Sequence, residues 1–421
     1  MLRILSRLQS AALYPAALAI ITAQSEIARF KAIGKAPVVH SEAPYDGQKI
    51  MLLALYQKGK VRPDVIRLLQ AAKDAGLYVL AVNTLKLKDP KTLNGLVDCY
   101  IERPNFGRDF GSYKTGFLHL FNRDWAEKCP RLLMINDSIF FSDERMPKFL
   151  DDMMSSEIEV LGSTENYEIE YHLGSFCIAM AGTILRNQQF HTYWHKYRLS
   201  DVRPLVILRG EMRLSKTLKR CVSSPDQFLA LYGASRFFTE VKQDRSLLDF
   251  AVVNGRTSVL THWKRVNPKS VLTFLESRFM MPVNGTGDSE VVIEATLKDL
   301  NDKVFVAGYE DLIRYLKRQI SEGSEIDEDM MASVVAASLT EVFMEGSQIH
   351  QNSSTLIRMG LPIVKLDGLY RGMFNIYDIG RISSQLLADE SEELNRLLME
   401  RPFGEDTLIG WKKAAFMRGL I

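Results

Sequence analysis

Two clusters of polar residues each stand directly after a short apolar run, where the chemistry of a ligand site is expected. They are Asn105, Gly107, Arg108 and Asp109 in the first cluster, and Asn136, Asp137 and Ser138 in the second. The apolar runs before them, 96–101 and 132–135, have the length and composition of buried strands. Ligands of open α/β sheets bind just past the carboxyl ends of the strands, so both clusters are expected on one rim.

The first cluster has the residue types that hold a phosphorylated ligand. Gly107 and Gly111 let the backbone approach a ligand closely, and the helix predicted after them exposes backbone N–H groups that favour phosphate. Arg108 and Lys114 can neutralise a diphosphate, while Asp109 can accept hydrogen bonds from sugar hydroxyl groups. The spacing equally fits a capped turn, with Asp109 as N-cap and Arg108 in a surface ion pair.

The second cluster, Asn136-Asp137-Ser138, groups oxygen atoms at the end of a strand. Mg²⁺ and Mn²⁺ prefer oxygen ligands and often keep substrate phosphates in their coordination shell, so the cluster is a candidate cation site beside a diphosphate. One carboxylate and two neutral oxygens form a weak site, with Asp137 as the charged ligand. The alternative is an Asx-type turn that caps the following segment.

Glu211 is the candidate general base. It follows Gly210, and the pattern predicts that a helix begins here, where the helix dipole stabilises a carboxylate. A carboxylate in this position can take a proton from an acceptor hydroxyl group. It can equally be an ordinary first-turn acid. Asp226, which follows Pro225 at another predicted helix start, is a rival for the same role.

Other residue types that bind metals or form disulfides make no recognisable site in the sequence. His191 and His195 lie four residues apart without an evident third ligand, which favours aromatic packing on a helix. The four cysteines have no Cys-x-x-Cys spacing, and they are expected to be reduced thiols in a reducing compartment.

Alternating buried strands and helices must position the two clusters. The runs 49–56 and 77–82 are almost continuously apolar, as in strands buried on both faces, and Pro63 fits the first turn of the helix between them. Strand, helix and strand with short connections predict parallel pairing through a right-handed crossover. The predicted fold class is therefore α/β, a Rossmann-like domain with a mostly parallel sheet. A helix is predicted at 225–232 and a last strand at 237–241.

The sequence pattern divides the chain into three parts. Residues 1–44 form a helical arm and a polar linker, 45–245 the α/β domain, and 246–421 a mostly helical domain without clear buried strands. Its amphipathic patterns are 300–320, 327–344 and 382–399. The arm carries an apolar run at 11–23, which has the general shape of a signal peptide. It fits better a packed or interfacial helix with peripheral membrane contact.

The charge balance excludes one large class of function. There are 53 basic and 51 acidic residues, for a net charge of +2. A nucleic-acid-binding protein normally shows a basic excess or a basic stripe, so no nucleic-acid partner is expected. No Gly-x-Gly-x-x-Gly follows the first predicted strand, which argues against a nucleotide-dependent dehydrogenase.

An ordered set of six stretches resembles the rhamnan synthesis protein F family. The stretches are 103–114, 136–138, 174–180, 193–197, 211–215 and 352–365. The last of them looks like the Asn-Pro-Thr…Pro-Phe-Leu-Lys signature of that family, with Ser353 in place of the proline. Plain packing between domains is the alternative interpretation of that stretch. The resemblance extends from roughly residue 49 to residue 379.

The resemblance implies a bacterial glycosyltransferase of the GT-A type that builds cell-surface polysaccharide, such as rhamnan or the O-antigen of lipopolysaccharide. By position, the first cluster and Lys114 would bind a nucleotide-diphosphate sugar. Asn136, Asp137 and Ser138 take the place of the Asp-x-Asp motif of GT-A enzymes. Glu211 resembles the base of inverting members, so Glu211 and Asp137 are the implied catalytic residues. The implied cofactor is Mg²⁺ or Mn²⁺, with Asp137 as its ligand.

The partners implied by the resemblance are a nucleotide-sugar donor and a glycan acceptor, which a lipid can carry. The implied location is the cytoplasm, at the inner face of the plasma membrane. The competing interpretation is a non-catalytic module that binds a nucleotide-sugar or scaffolds other synthesis enzymes. The missing carboxylates at Asn136 and Ser138 favour that module, whereas Glu211 and the Arg108–Asp109 pair disfavour it.

Overall fold

A computed structural model describes residues 2–254, 309–310, 328–400 and 404–421. Its centre is an eight-stranded sheet built between residues 38 and 230. In chain order, the strands of the described residues are β1 (Val38–Glu42), β2 (Ile50–Leu55), β3 (Tyr78–Asn83), β4 (Cys99–Glu102), β5 (Arg131–Asn136), β6 (Ile139–Phe141), β7 (Val160–Gly162), β8 (Glu165–Asn166), β9 (His172–Leu173), β10 (Cys177–Ala181), β11 (Phe228–Ala230) and β12 (Ile363–Lys365).

The sheet has the order β1-β4-β3-β2-β5-β10-β7-β11. Strands β4, β3, β2 and β5 are mutually parallel, and β11 is parallel to β7. Only β1 and β10 run against their neighbours. The predicted α/β class with a mostly parallel sheet is therefore confirmed. Parallel pairing brings the carboxyl ends of β4 and β5 to one edge of the sheet.

Helices cover both faces of the sheet. Up to residue 254 they are α1 (Leu2–Ala32), α2 (Pro63–Asp74), α3 (Arg108–Asn122), α4 (Trp125–Lys128), α5 (Met146–Ser155), α6 (Gly182–Leu185), α7 (Gln188–Lys196), α8 (Arg203–Val206), α9 (Arg213–Cys221), α10 (Ala234–Gln243) and α11 (Arg245–Asn254). Leu68 of α2 and Phe149 of α5 belong to the core on one face, and Phe117 of α3 and Trp194 of α7 to the core on the other. Because strands buried on both faces carry apolar residues throughout, β2, β3 and β5 are buried along their whole length.

Beyond residue 254 the regular elements of the described residues are helices apart from β12, as predicted. The helices are α12 (Glu328–Phe343), α13 (Gln348–Gln351), α14 (Ser353–Arg358), α15 (Ile376–Ser383), α16 (Ala388–Met399) and α17 (Gly410–Met417). Strand β12 pairs antiparallel with β6, which follows β5 in the chain, so this region contacts the α/β sheet domain next to the carboxyl end of β5. The helical pattern predicted at 300–320 lies outside the described residues, except for 309–310.

Two of the predicted elements are wrong. The strand predicted at 237–241 lies inside helix α10, because Phe237 and Val241 are four residues apart and both face the core. The helix predicted at 225–232 is a single 3₁₀ turn, Pro225–Gln227, followed by β11, which extends the sheet beside β7. In addition, β1 lies within the stretch predicted as linker and forms an edge of the sheet.

The predicted N-terminal helix is present as α1, and one side of it packs on the C-terminal helix α17. Ala17 and Ile21 are buried there in a small core with Ala415. Within the part of the chain that the structure describes, no helix is long and apolar enough to cross a membrane. The domain boundaries at residues 45 and 246 remain predictions.

Candidate functional site

The loop between β4 and α3 carries the first cluster, and we call residues 103–109 the rim loop. Its turn uses positive φ angles at Gly107 (95°) and Arg108 (48°). The Gly107 N–H donates to Oδ1 of Asp201 at 2.7 Å, and Arg108 Nε donates to the Asp201 carbonyl at 3.1 Å. The positive φ of Gly107 favours glycine, and a Cβ there would lie 2.8 Å from the end of the Leu199 side chain, which would have to move. Asp201, which the sequence analysis did not identify, therefore fixes this turn.

Arg103 supports the rim loop from below. Its side chain is buried, and it donates to Ser112 Oγ at 2.8 Å, to the Pro104 carbonyl at 2.9 Å and to the Phe106 carbonyl at 2.6 Å. A further hydrogen bond reaches the carbonyl of Arg108. Burial lowers the pKa of Arg103 to about 10, so the guanidinium is still charged at neutral pH. One arginine thereby satisfies three loop carbonyls.

Asp109 joins the two predicted clusters. It stands in the first turn of α3, and its Oδ2 accepts a hydrogen bond from Asn136 Nδ2 at 3.2 Å. Desolvation raises the pKa of the Asp109 carboxyl, while the positive charges of Lys365, Arg108 and Arg103, in that order, oppose the rise. The structure therefore brings Asp109, Arg108 and Asn136 together at the carboxyl ends of β4 and β5. Asn105 is exposed on the same loop.

Asn136 and Ser138 form the Asx-type turn that was the alternative interpretation of the second cluster. Asn136 Oδ1 accepts from the Ser138 N–H at 3.1 Å and from Ser138 Oγ at 2.5 Å. Lys365 Nζ, at the end of β12, donates to Ser138 Oγ at 2.7 Å. The oxygens of Asn136 and Ser138 therefore already hold hydrogen bonds within the protein.

Asp137 points away from Asn136 and Ser138, towards the end of β2. Its Oδ2 accepts from the Tyr56 N–H at 2.7 Å and from Gln57 Nε2, and only 5% of the residue is exposed. Desolvation raises the pKa of Asp137 to about 6, and the charge of Arg62 opposes the rise. With Asp137 bonded in this way, the second cluster does not fit the oxygen shell of a divalent cation.

Asp137→Asn is expected to stabilise the protein in a pH-dependent way. The amide oxygen can accept the same two hydrogen bonds, and it never carries the charge that burial disfavours. A carboxyl whose folded-state pKa is raised stabilises the fold below its unfolded pKa, and this contribution is lost as the pH rises through the folded value. The free energy of unfolding of the variant should therefore gain about 2 kcal/mol on wild type from about pH 4 to about pH 7. Urea unfolding of both proteins at both pH values measures this difference in the free energy of unfolding. A difference that does not change with pH would contradict the prediction.

Glu211 does not begin a helix. Helix α8, one π-helical turn at Ile207–Met212 and helix α9 follow one another without a break, and Glu211 lies within the π-helical turn. Gly210 does not interrupt this run; it lets the helix pack on Phe110, because a Cβ there would lie 2.7 Å from that ring. The helix-start prediction for Glu211 is therefore wrong, and the dipole argument for its carboxylate does not apply.

His172 is the partner of Glu211, and the sequence analysis did not identify it. Its Nε2 lies 3.8 Å from Glu211 Oε2, and its Nδ1–H donates to the Glu170 carbonyl at 2.7 Å. Burial lowers the pKa of His172, but Glu211 and the Glu170 carbonyl outweigh it and raise the pKa above its usual value. The Glu211 carboxylate also raises the pKa of Asp109, so the two acids lie within electrostatic reach of each other.

Two other predicted residues lie elsewhere. Lys114 Nζ donates to the carbonyls of His195 (3.1 Å) and Tyr197 (2.8 Å) at the end of α7. Asp226, the rival base, is fully exposed before β11, which is the edge strand of the sheet and is separated from β5 by β10 and β7. The structure therefore does not bring either residue to Asn136.

The segment after β12 forms the opposite side of the rim. Asp367 accepts from His350 Nε2 at 3.0 Å and from Arg371 Nε at 2.7 Å. Burial raises the pKa of Asp367, but the charges around it, led by His350, hold that pKa well below its usual value. Burial lowers the pKa of Arg108, and the charge of nearby Arg371 lowers it further, while Asp109 opposes the change. The stretch 352–365, which resembles a family signature, pointed to this region of the chain. The hydrogen bond from Lys365 to Ser138 was not predictable from it.

A different trio of metal-ligating side chains occurs in the described residues. Glu42, Cys99 and His119 meet at the opposite end of β4 from the rim loop. His119 Nε2 lies 3.0 Å from Glu42 Oε2, and Arg123 also pairs with Glu42 at 3.0 Å. Burial raises the pKa of Cys99 to about 12, so its thiol stays protonated. Burial also lowers the pKa of His119, so the ion pair of this cluster is the one between Glu42 and Arg123, beside a core cysteine.

Comparison with known proteins supports the resemblance. The sequence profile of rhamnan synthesis protein F matches residues 77–221, which include the rim loop, Asn136 and Glu211. Uncharacterized protein y4gN of Sinorhizobium fredii (strain NBRC 101917 / NGR234) is 25% identical over 229 residues, 52% of this chain and 59% of that protein. Virulence protein VirA of Vibrio anguillarum (strain ATCC 68554 / 775) is 34% identical over 79 residues, 19% of this chain and 24% of VirA. Each alignment thus spans less than two thirds of the relative. The resemblance is confirmed over residues 77–221, and it links them to a family named for polysaccharide synthesis.

Proposed function

We propose that this protein is a glycosyltransferase that moves a sugar, rhamnose or a similar one, from a nucleotide-diphosphate donor to a growing cell-surface polysaccharide. One observation carries the proposal. Asp109 bonds to Asn136 at the strand ends and lies within electrostatic reach of Glu211, in the segment that matches rhamnan synthesis protein F. A GT-A-type reaction needs these parts together: a polar rim for the donor and an acid beside it.

The proposed mechanism is a single displacement with inversion. Glu211 takes the proton of an acceptor hydroxyl group, and that oxygen forms a bond to the anomeric carbon. The bond from the anomeric carbon to the phosphate oxygen breaks on the opposite face, and the nucleoside diphosphate leaves with the electron pair. Positive charge on the rim, including Arg108, stabilises the leaving group, and Asp109 accepts hydrogen bonds from the hydroxyl groups of the donor.

Binding and turnover experiments test this proposal. Purified protein is titrated with uridine, thymidine and guanosine diphosphate sugars by calorimetry, and release of nucleoside diphosphate is then followed with a lipid-linked glycan acceptor. One donor should bind, and release should depend on the acceptor. Binding without release would favour a non-catalytic nucleotide-sugar module, which the inward-facing Asp137 carboxylate also favours. Absence of binding by every donor would contradict both functions.

The proposed place of the reaction is the cytoplasmic face of the plasma membrane, with α1 as the membrane contact. The side of α1 away from α17 exposes Ile20, Ile27 and Phe30, which are 38%, 54% and 65% exposed. Arg29 and Lys31 lie in the last turn of the same helix. Apolar side chains beside cations are typical of helices that lie in an anionic membrane surface.

Vesicle flotation is expected to show this contact. Wild-type protein should float with vesicles that contain phosphatidylglycerol, and Ile27→Ser combined with Phe30→Ser should remain in the soluble fraction. The matched control is Val334→Ser on α12, which removes another exposed apolar side chain (58%) and should float like wild type. Equal flotation of the double variant and wild type would contradict the role of α1.

A further inference from the structure

Lys365 lies beside the Asx turn at the end of β5. Strand β12 pairs with β6 so that Lys365 stands opposite Ile139, the first residue after the Asx turn. Its ammonium group donates to Ser138 Oγ at 2.7 Å and lies 4.8 Å from the centre of the Phe176 ring. These two contacts and the strand pairing hold the charge in one place. Lys365 follows Ser138 by 227 residues in the sequence, so the fold alone brings the two together.

The oxygens around Lys365 do not suit a divalent cation. Mg²⁺ needs an octahedral shell of oxygens, and protein sites supply one or two carboxylates with waters and phosphates. Asn136 Oδ1 already accepts two hydrogen bonds from Ser138, and Asp137 Oδ2 accepts one from the Tyr56 N–H and one from Gln57 Nε2. Asp109 is the remaining carboxylate near Asn136. An ammonium group bonded to Ser138 would repel a second cation in the same space.

We propose that Lys365 supplies the positive charge that a metal ion supplies in other GT-A enzymes, and that sugar transfer by this protein needs no divalent cation. This inference rests on the proposed function. As the bond between the anomeric carbon and the phosphate oxygen breaks, negative charge develops on the diphosphate, and the Lys365 ammonium group stabilises it. No proton moves to or from Lys365. Arg108, held against Asp201 on the other side of the rim, is the second cation for the same diphosphate.

The surrounding residues hold Lys365 in position. Burial raises the pKa of Asp109, and of the positive charges that oppose this rise, that of Lys365 has the largest effect. Asp367, two residues after Lys365, is held by His350 and Arg371, which fixes the chain after β12.

Chelation tests the inference without any substitution. Acceptor-dependent release of nucleoside diphosphate by wild-type protein is measured after dialysis against EDTA, and again with added Mn²⁺ or Mg²⁺. The expected result is the same kcat in all three conditions. Loss of release in EDTA that Mn²⁺ or Mg²⁺ restores would overturn the inference and leave the proposed function standing. If wild-type protein releases no nucleoside diphosphate from any donor, the proposed function fails and this inference fails with it.

Substitution of Lys365 tests whether its charge contributes to catalysis and to nucleoside diphosphate binding. Lys365→Met should lower kcat by up to about 100-fold and weaken the binding of free nucleoside diphosphate in calorimetry, while Lys365→Arg should recover part of both. The matched control is Lys148→Met on α5, an exposed lysine paired with Asp152, which should behave like wild type. Thermal unfolding of each variant separates loss of charge from loss of fold. A folded Lys365→Met protein with wild-type kcat and nucleoside diphosphate affinity would overturn the inference.

Discussion

Glu211→Gln is expected to lower the kcat of sugar transfer by about 10²- to 10⁴-fold, the usual contribution of general base catalysis. The amide keeps the size of the side chain but cannot take a proton from the acceptor. Glu211 is 30% exposed at its side chain, so it is accessible to an acceptor, and His172 lies 3.8 Å from its Oε2. Because Glu211 is not expected to contact the diphosphate, calorimetry should give the same donor affinity for the variant and wild type.

Asp226→Asn is the matched control for this prediction. Asp226 is also a carboxylate that the sequence places after a helix-initiating pattern, but it is fully exposed at the far edge of the sheet. Its substitution should leave kcat unchanged. Wild-type kcat in folded Glu211→Gln protein would remove Glu211 from the mechanism, and a large loss in Asp226→Asn protein would transfer the role to Asp226.

The central strands of the sheet were predictable because their signal is local, whereas the edge strands β1 and β11 were not predicted. The runs 49–56 and 77–82 are almost continuously apolar, which is typical of strands buried on both faces, and they contain most of β2 and β3. The segment 237–241 shows where this signal ends. A short apolar run fits a buried strand or one side of a helix, and the stacking of Phe237 on Phe343 of α12 decided for the helix.

The candidate site was only partly predictable, because side-chain direction and distant contacts are set by the tertiary fold. The position of Asp109 and Asn136 at the strand ends follows from local pattern and parallel topology. The inward direction of Asp137 depends on Tyr56 and Gln57, some 80 residues earlier. Lys365 comes from a separate region of the chain, and no local pattern connects it with Ser138.

The π-helical turn explains the error at Glu211. Glycine after an irregular stretch usually signals a helix boundary, which made Gly210 look like the residue before a helix. In the structure Gly210 is inside the helix, where it allows contact with the Phe110 ring. The π-helical turn places Glu211 towards His172. The functional hypothesis for Glu211 therefore rests on this neighbourhood and no longer on the helix dipole.

Arg103→Met is expected to have the largest effect on folding stability. It removes the donors for the carbonyls of Pro104, Phe106 and Arg108 and for Ser112 Oγ, in a place where water cannot replace them all. Buried polar groups left without partners cost about 1–3 kcal/mol each, and partial relaxation of the loop should leave a net loss of about 4 kcal/mol. Urea unfolding measures this loss, and calorimetry should show weaker donor binding, because the rim loop carries Arg108 and Asp109.

Arg103→Lys separates geometry from charge in this prediction. A lysine keeps the positive charge, but its single ammonium group cannot reach acceptors spread around a planar guanidinium, so most of the stability loss should remain. The matched control is Arg123→Met at the other end of α3, where a half-exposed guanidinium pairs with Glu42 and should contribute less than about 1 kcal/mol. If Arg103→Met and Arg123→Met unfold at the same urea concentration, the loop does not depend on Arg103. The rim loop would then be held by Asp201 and the first turn of α3 alone.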